Sequence, residues 1–214
     1  MSLLAFALSL LPAAPTCITN YGKTACGYGC LAAHGAVACA STPSGTCAAT
    51  SDASTPPGVV CWDPPEWVRA HYGDKVPAPM CASRSGKTAC GYHCVTHGSD
   101  VECASSPDGI CRASSRGITC WDPPVSSYCA DSRPLPRPQC IVVDGEIACG
   151  YACEARGGRM ACAASPGGRC QVLPNQILCT DPPAPPMCGF RPCAADTAAS
   201  ERSWCRPGDP DRSR

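Results

Sequence analysis

Cys140-Ile141-Val142-Val143-Asp144-Gly145-Glu146-Ile147-Ala148-Cys149 is a palindrome of chemical character: two cysteines enclose eight residues, and the middle of the eight is Asp-Gly. That dipeptide suits a two-residue turn with positive φ at both positions, the favoured connection of a β-hairpin. A turn at positions four and five sets the two cysteines directly opposite each other. Counting outward from the turn, the cysteine pair falls at a non-hydrogen-bonded site, where Cα atoms approach to about 4.5 Å and a disulfide fits. Positions two and seven share the cysteine face of the ribbon, and here they are Val142 and Ile147. The segment predicts a short, disulfide-closed hairpin.

The same unit recurs along the whole 214-residue chain. Cys17, Cys26, Cys30, Cys39, Cys47 and Cys61 form one set; Cys81, Cys90, Cys94, Cys103, Cys111 and Cys120 a second; Cys140, Cys149, Cys153, Cys162, Cys170 and Cys179 a third. Position five of the unit is Gly22, Gly35, Gly86 or Gly158 in other copies and Asn175 in one, so positive φ is expected there too. Positions two and seven pair Thr19 with Thr24, Ala32 with Val37, Thr96 with Val101 and Val172 with Ile177. Gly98 and Gly117 sit one residue off, and the span from Cys47 to Cys61 carries an insertion around Ser54-Thr55-Pro56-Pro57; turns of another length are expected at these three places. The reading is nine hairpins, three per module. Six cysteines admit many pairings, and of these we favour joining the two ends of each hairpin.

The fold class expected is small, disulfide-rich and mainly β, with three tandem modules of short β-hairpins joined by Pro-rich linkers. Module 1 spans 17–65, module 2 spans 81–124 and module 3 spans 140–183, with linkers at 66–80 and 125–139. The linkers are expected to be semi-extended spacers, giving a chain of beads. Residues 184–214 begin like a degenerate fourth module, with Cys188, Cys193 and Cys205, and end in a tail expected to be disordered; Cys129 stands alone in the second linker. Residues 1–16 contain an apolar run, Leu3 to Leu11, followed by small residues, which reads as a signal peptide and is too short to span a bilayer. No Lys or Arg precedes that run, so the start of the leader is expected upstream of Met1.

Besides the cysteines, each module repeats Cys-Gly-Tyr at 26, 90 and 149, Ala after the fourth cysteine, Pro-x-Gly before the fifth and Asp-Pro-Pro after the sixth. The strings Gly-Lys-Thr-Ala-Cys-Gly-Tyr-x-Cys, Cys-Ala-x-x-Pro-x-Gly-x-Cys and Cys-Trp-Asp-Pro-Pro resemble a cysteine-rich repeat of predicted exported proteins from high-GC bacteria. That resemblance covers positions 17 to 183 and implies export but no activity, ligand or catalytic residue. The third copy departs from it by losing Lys-Thr and Trp.

Composition narrows the function classes. With 22 cysteines the chain belongs with exported disulfide scaffolds rather than cytosolic proteins, and modules this small need such staples to fold. The 17 basic and 17 acidic residues cancel, so no field favours nucleic acid or an anionic membrane. Gly22-Lys23-Thr24 and Gly86-Lys87-Thr88 resemble the end of a phosphate-binding loop, but Cys17 and Cys81 stand where its first glycine belongs. His93 and His97 lie beside Cys90 and Cys94, yet the counterparts in module 1 are Gly29 and Ala33, and no metal or cofactor is expected. His34 and His71 have no triad context, and Asp63, Asp122 and Asp181 read as turn starters of Asp-Pro-Pro. We therefore expect no enzyme.

The candidate binding surface is the recurring set of aromatics, Tyr28, Tyr92, Tyr151, Trp62 and Trp121, weighed against their packing over the disulfides. The leading functional expectation is a secreted, periplasmic or cell-surface array presenting loops to an extracellular or envelope protein or carbohydrate. Two alternatives stand beside it: an inhibitor or toxin-like protein acting through the loop at 48–60, and a cysteine-rich metal-binding protein.

Overall fold

The computed structural model describes residues 14–50, 58–129 and 135–183, with the backbone of two further short strands, Arg191–Pro192 and Trp204–Cys205. The signal-peptide run, the centre of the insertion and most of the fourth-module segment lie outside the described residues. The fold is mainly β, as expected, and the three modules share one plan. Module 1 consists of β1 (Thr16–Asn20), β2 (Lys23–Ala33), β3 (Ala36–Ala40), β4 (Thr46–Thr50) and β5 (Gly58–Trp62). Module 2 consists of β6 (Met80–Arg84), β7 (Lys87–His97), β8 (Asp100–Ala104), β9 (Ile110–Ser114) and β10 (Gly117–Trp121). Module 3 consists of β11 (Gln139–Val143), β12 (Glu146–Arg156), β13 (Arg159–Ala163), β14 (Arg169–Val172) and β15 (Ile177–Thr180).

Every framework cysteine pairs across its own hairpin, giving nine disulfides among the described residues, each with Cα atoms 4.0–4.1 Å apart. Registers are those expected from the turn position: Cys140 faces Cys149, and Val142 faces Ile147. Where positions two and seven are polar they bond each other, Thr19 to Thr24 and Ser83 to Thr88, both at 2.8 Å.

The first two hairpins of each module are not separate. The strand runs straight through the three residues between the second and third cysteines and continues for 11 residues, pairing one neighbour with its first half and another with its second. The switch is a β-bulge, with positive φ at Gly29, His93 and Ala152. Gly27, Gly91 and Gly150 precede it at the closest approach of the third strand: a Cβ there would overlap the carbonyl of Ala40, Ala104 or Ala163. This accounts for the Gly of Cys-Gly-Tyr.

Turn lengths also differ from expectation. His97 pairs with Asp100 and Ser114 with Gly117, so the hairpins near Gly98 and Gly117 keep two-residue turns and change backbone type instead. The facing cysteines hold the register, and only the turn conformation is left to vary. Asn175 likewise lacks positive φ; its turn partner is Pro174, whose ring fixes its own φ in the negative range and so excludes the type I′ turn, which needs positive φ at both positions.

The third hairpin folds back onto the three-stranded sheet, and the Asp of Asp-Pro-Pro clasps it there. Asp122 accepts from Ser105 N (3.0 Å), Ser106 N (2.8 Å) and Ser106 Oγ (2.7 Å). Asp63 does the same with Ser41 and Thr42, and Asp181 with Ala164 and Ser165. These aspartates are long-range clamps on the loop after the fourth cysteine, not the local turn starters expected. Gly45, Gly109 and Gly168 lie against the clasp, where a Cβ would collide with the Asp carboxylate and with the repeated Ala. Those alanines, Ala40, Ala104 and Ala163, are at most 1% exposed.

The described parts of the linkers carry helical turns and a small core, which corrects the picture of beads on extended spacers. Residues 66–72 form helix α1 (Glu66–Tyr72) after Pro64-Pro65, and Val125–Cys129 form a 3-10 turn. Trp67 (7% exposed), Val68 (0%) and Tyr128 (8%) form a small core with Tyr72, Val76, Val125 and Leu135. Proline at the helix start costs no hydrogen bond, since the first N–H groups have no intrahelical partner.

Candidate functional site

Four of the five repeated aromatics come together in two pairs, each spanning two modules. The Trp62 ring of module 1 meets Tyr92 of module 2 edge-on at 5.6 Å, and Trp121 of module 2 meets Tyr151 of module 3 at 5.4 Å, with interplanar angles of 85° in both. Tyr92 and Tyr151 are 4% and 5% exposed, and both Trp rings are half-buried. The expected binding aromatics are thus intermodule joints, in the edge-to-face geometry such rings favour. Tyr28 is half-buried and makes no ring contact among the described residues; Thr180, at the Trp position of module 3, is exposed.

Each joint seats the third hairpin of one module on the first strands of the next, β4 and β5 on β6 and β7, then β9 and β10 on β11 and β12. At the second joint Ser114 Oγ donates to Gly145 O at 2.6 Å, and Arg116 pairs with Glu146 at 2.5 Å in the open. Burial pushes the Tyr92 hydroxyl up to about 12, and burial, then the Asp108 charge, does the same for Tyr151. Tyr92 Oη donates to Pro77 O at 3.1 Å, whereas Tyr151 Oη is buried with no protein partner among the described residues.

No known family model, curated protein or solved structure matches the chain. What the surface can do must therefore be taken from its own residues.

The linker core brings polar groups together that no motif had singled out. Tyr72 Oη donates to Asp108, and His71 lies edge-on to Tyr72 and Tyr128 with Nδ1 3.3 Å from Tyr128 O. Burial, reinforced by Asp108, holds the Tyr72 phenol well above its usual range, and burial does the same for Tyr128. Ser106 is fully buried and its hydroxyl donates to Asp122. A signal for this cluster was present in Pro64-Pro65-Glu66-Trp67-Val68, where proline and then an acid begin a run with apolar residues at helical spacing.

Of the two histidines weighed as metal ligands, His93 has its Nε2 2.9 Å from Pro107 O, and among the described residues no three His, Cys, Asp or Glu side chains converge. Eighteen cysteines are held as disulfides and offer no thiolate. Gly22-Lys23-Thr24 and Gly86-Lys87-Thr88 are turn-then-strand segments, with Lys87 paired to Asp100 at 2.6 Å; that bond and charge lower the Asp100 carboxyl. Of the 48–60 loop, 48–50 and 58–60 are paired strand and the rest lies outside the described residues.

Two surface features remain. One is a cleft of about 820 Å³ between the module 1 loop and α1, lined by Thr42, Ser44, Thr46, Arg69, Asp74 and Pro79 among others. The other is the row of hairpin tips. The repeated residues lie in the frame, while the tips differ: Tyr21-Gly22-Lys23, Ser85-Gly86-Lys87 and Asp144-Gly145-Glu146. Tyr21, at 86%, is the most exposed large apolar side chain among the described residues.

Proposed function

We propose that the chain is an exported, non-catalytic binding array that presents chemically distinct hairpin tips from a stiff disulfide frame to an envelope or extracellular partner, protein or carbohydrate. The observation that carries this reading is the division of labour within the repeat. Repeated polar and aromatic groups are engaged by clasps and joints, while the first-hairpin tips differ in their leading residue, Tyr21, Ser85 or Asp144. A stiff spacing between weak sites raises total affinity through effective concentration without any one strong contact. Export is supported by the disulfides, which form and persist in oxidising compartments, and by an apolar leader-like run at Leu3 to Leu11. No helix among the described residues is long and apolar enough to cross a membrane.

The test is co-sedimentation of the purified, oxidised full chain with insoluble cell-wall polysaccharide and with peptidoglycan. Tips are replaced by Ser in one, two and then three modules, starting with Tyr21→Ser and Lys23→Ser. Progressive loss supports the array. Loss confined to replacement of residues 51–57 selects the inhibitor reading instead, because such an inhibitor acts through one preorganised loop.

A further inference from the structure

Modules 2 and 3 each receive a Trp-bearing hairpin on the face that carries Tyr92 or Tyr151. Module 1 has the same face, with Tyr28 on the same strand at the same bulge, and Tyr28 meets no ring among the described residues. At the other end, module 3 carries exposed Thr180, Asp181 and Pro182 where modules 1 and 2 have Trp, a half-buried Asp and a buried Pro. Module 1 thus has an acceptor face that meets no donor ring among the described residues, and module 3 has a third hairpin that has lost its donor ring.

We propose that the Tyr28 face is a docking site whose occupant is the third hairpin of a further module of the same kind, ending in Cys-Trp-Asp-Pro-Pro. The molecule itself shows twice what covers this face, so the occupant follows from continuity with its own joints. Charge refines the partner. At the second joint the donor tip residue Arg116 meets Glu146 of the acceptor, and the position equivalent to Glu146 in module 1 is Lys23. The partner hairpin therefore carries Asp or Glu at its tip. A second copy of this chain does not qualify, since its free hairpin has Thr180 for Trp and Asn175 at the tip. The proposal concerns the end of the array and stands apart from what the other tips bind.

The chain can be converted into its own partner. Thr180→Trp with Asn175→Glu, both at exposed positions, restores a donor while leaving the Tyr28 acceptor intact. In sedimentation equilibrium the wild-type chain is expected to stay monomeric, and the double variant to form head-to-tail chains whose mean mass rises with loading from micromolar to millimolar. Adding Tyr28→Ala should return it to a monomer that still forms a one-to-one complex with wild type. Lys23→Glu, a surface change with no bearing on folding, should weaken association a few-fold, in the range of exposed ion pairs. A donor variant that remains monomeric at millimolar concentration overturns the proposal. So does association that survives both Tyr28→Ala and Lys23→Glu, because the acceptor would then be another surface. Intact mass after alkylation without reduction checks that each variant keeps its disulfides.

Discussion

Removing the clasp of the central module by Asp122→Ala should loosen it far more than the chemically identical Asp181→Ala loosens module 3. Asp122 accepts three hydrogen bonds, two of them from Ser106, which is 0% exposed. Without the carboxylate, the Ser106 amide and hydroxyl are left buried without an acceptor, at about 1–3 kcal/mol each. Ser105 N is exposed and can turn to water. The loss is therefore about 4 kcal/mol, or roughly a thousandfold at 1.36 kcal/mol per decade. Asp181 accepts the same three bonds in the open, where water replaces it, and its loss should be about 1 kcal/mol, that of an ordinary exposed hydrogen bond. Native-state amide exchange at Ser106 and Ser165, with disulfides intact, reads both values locally. Asp122→Asn should fall between, since its amide keeps one acceptor oxygen and turns donors toward the other site. Equal effects at the two positions, or less than a tenfold change at Ser106, would refute burial as the source of the clasp's strength.

Three further outcomes are expected. Tyr92 and Tyr151 titrate at about 12 in the folded chain, against 10.0 ordinarily. Their protonated forms thus stabilise the joints fully below the ordinary value, and this is lost as pH rises through the folded one; tyrosinate absorbance should lag, then rise together with loss of near-ultraviolet dichroism. At Asp181 partial burial raises the carboxyl, but the bonds from Ser165 and Ala164 outweigh it and lower the pKa below 3.8. That contribution is present above the ordinary carboxylate value and disappears as pH falls through the depressed one, which the Ser165 amide shift should report. Trp67→Ala empties the linker core shared with Val68 and Tyr128; it should cost about 3–5 kcal/mol of linker stability, seen as early exchange of α1 amides with all nine hairpins still protected.

The sequence by itself determined the hairpins and the threefold repeat, and it favoured, without choosing among the pairings, a disulfide across each hairpin. Those features are local: an eight-residue spacing, a turn dipeptide and a period of two suffice to place Cys140 opposite Cys149, and no distant residue can overrule them. What only the tertiary structure decided is how these units meet. Asp122 read locally as a turn residue, yet its partners lie 16 and 17 residues away. Trp62 and Tyr92 read either as a binding surface or as rings packed over the disulfides of their own modules, and they cover each other across a module boundary. The Pro-rich linker read as a spacer, although His71 reaches Tyr128 from 57 residues away. Burial of an aromatic or a carboxylate depends on which surface arrives against it, and that is a property of the assembled array rather than of any segment in it.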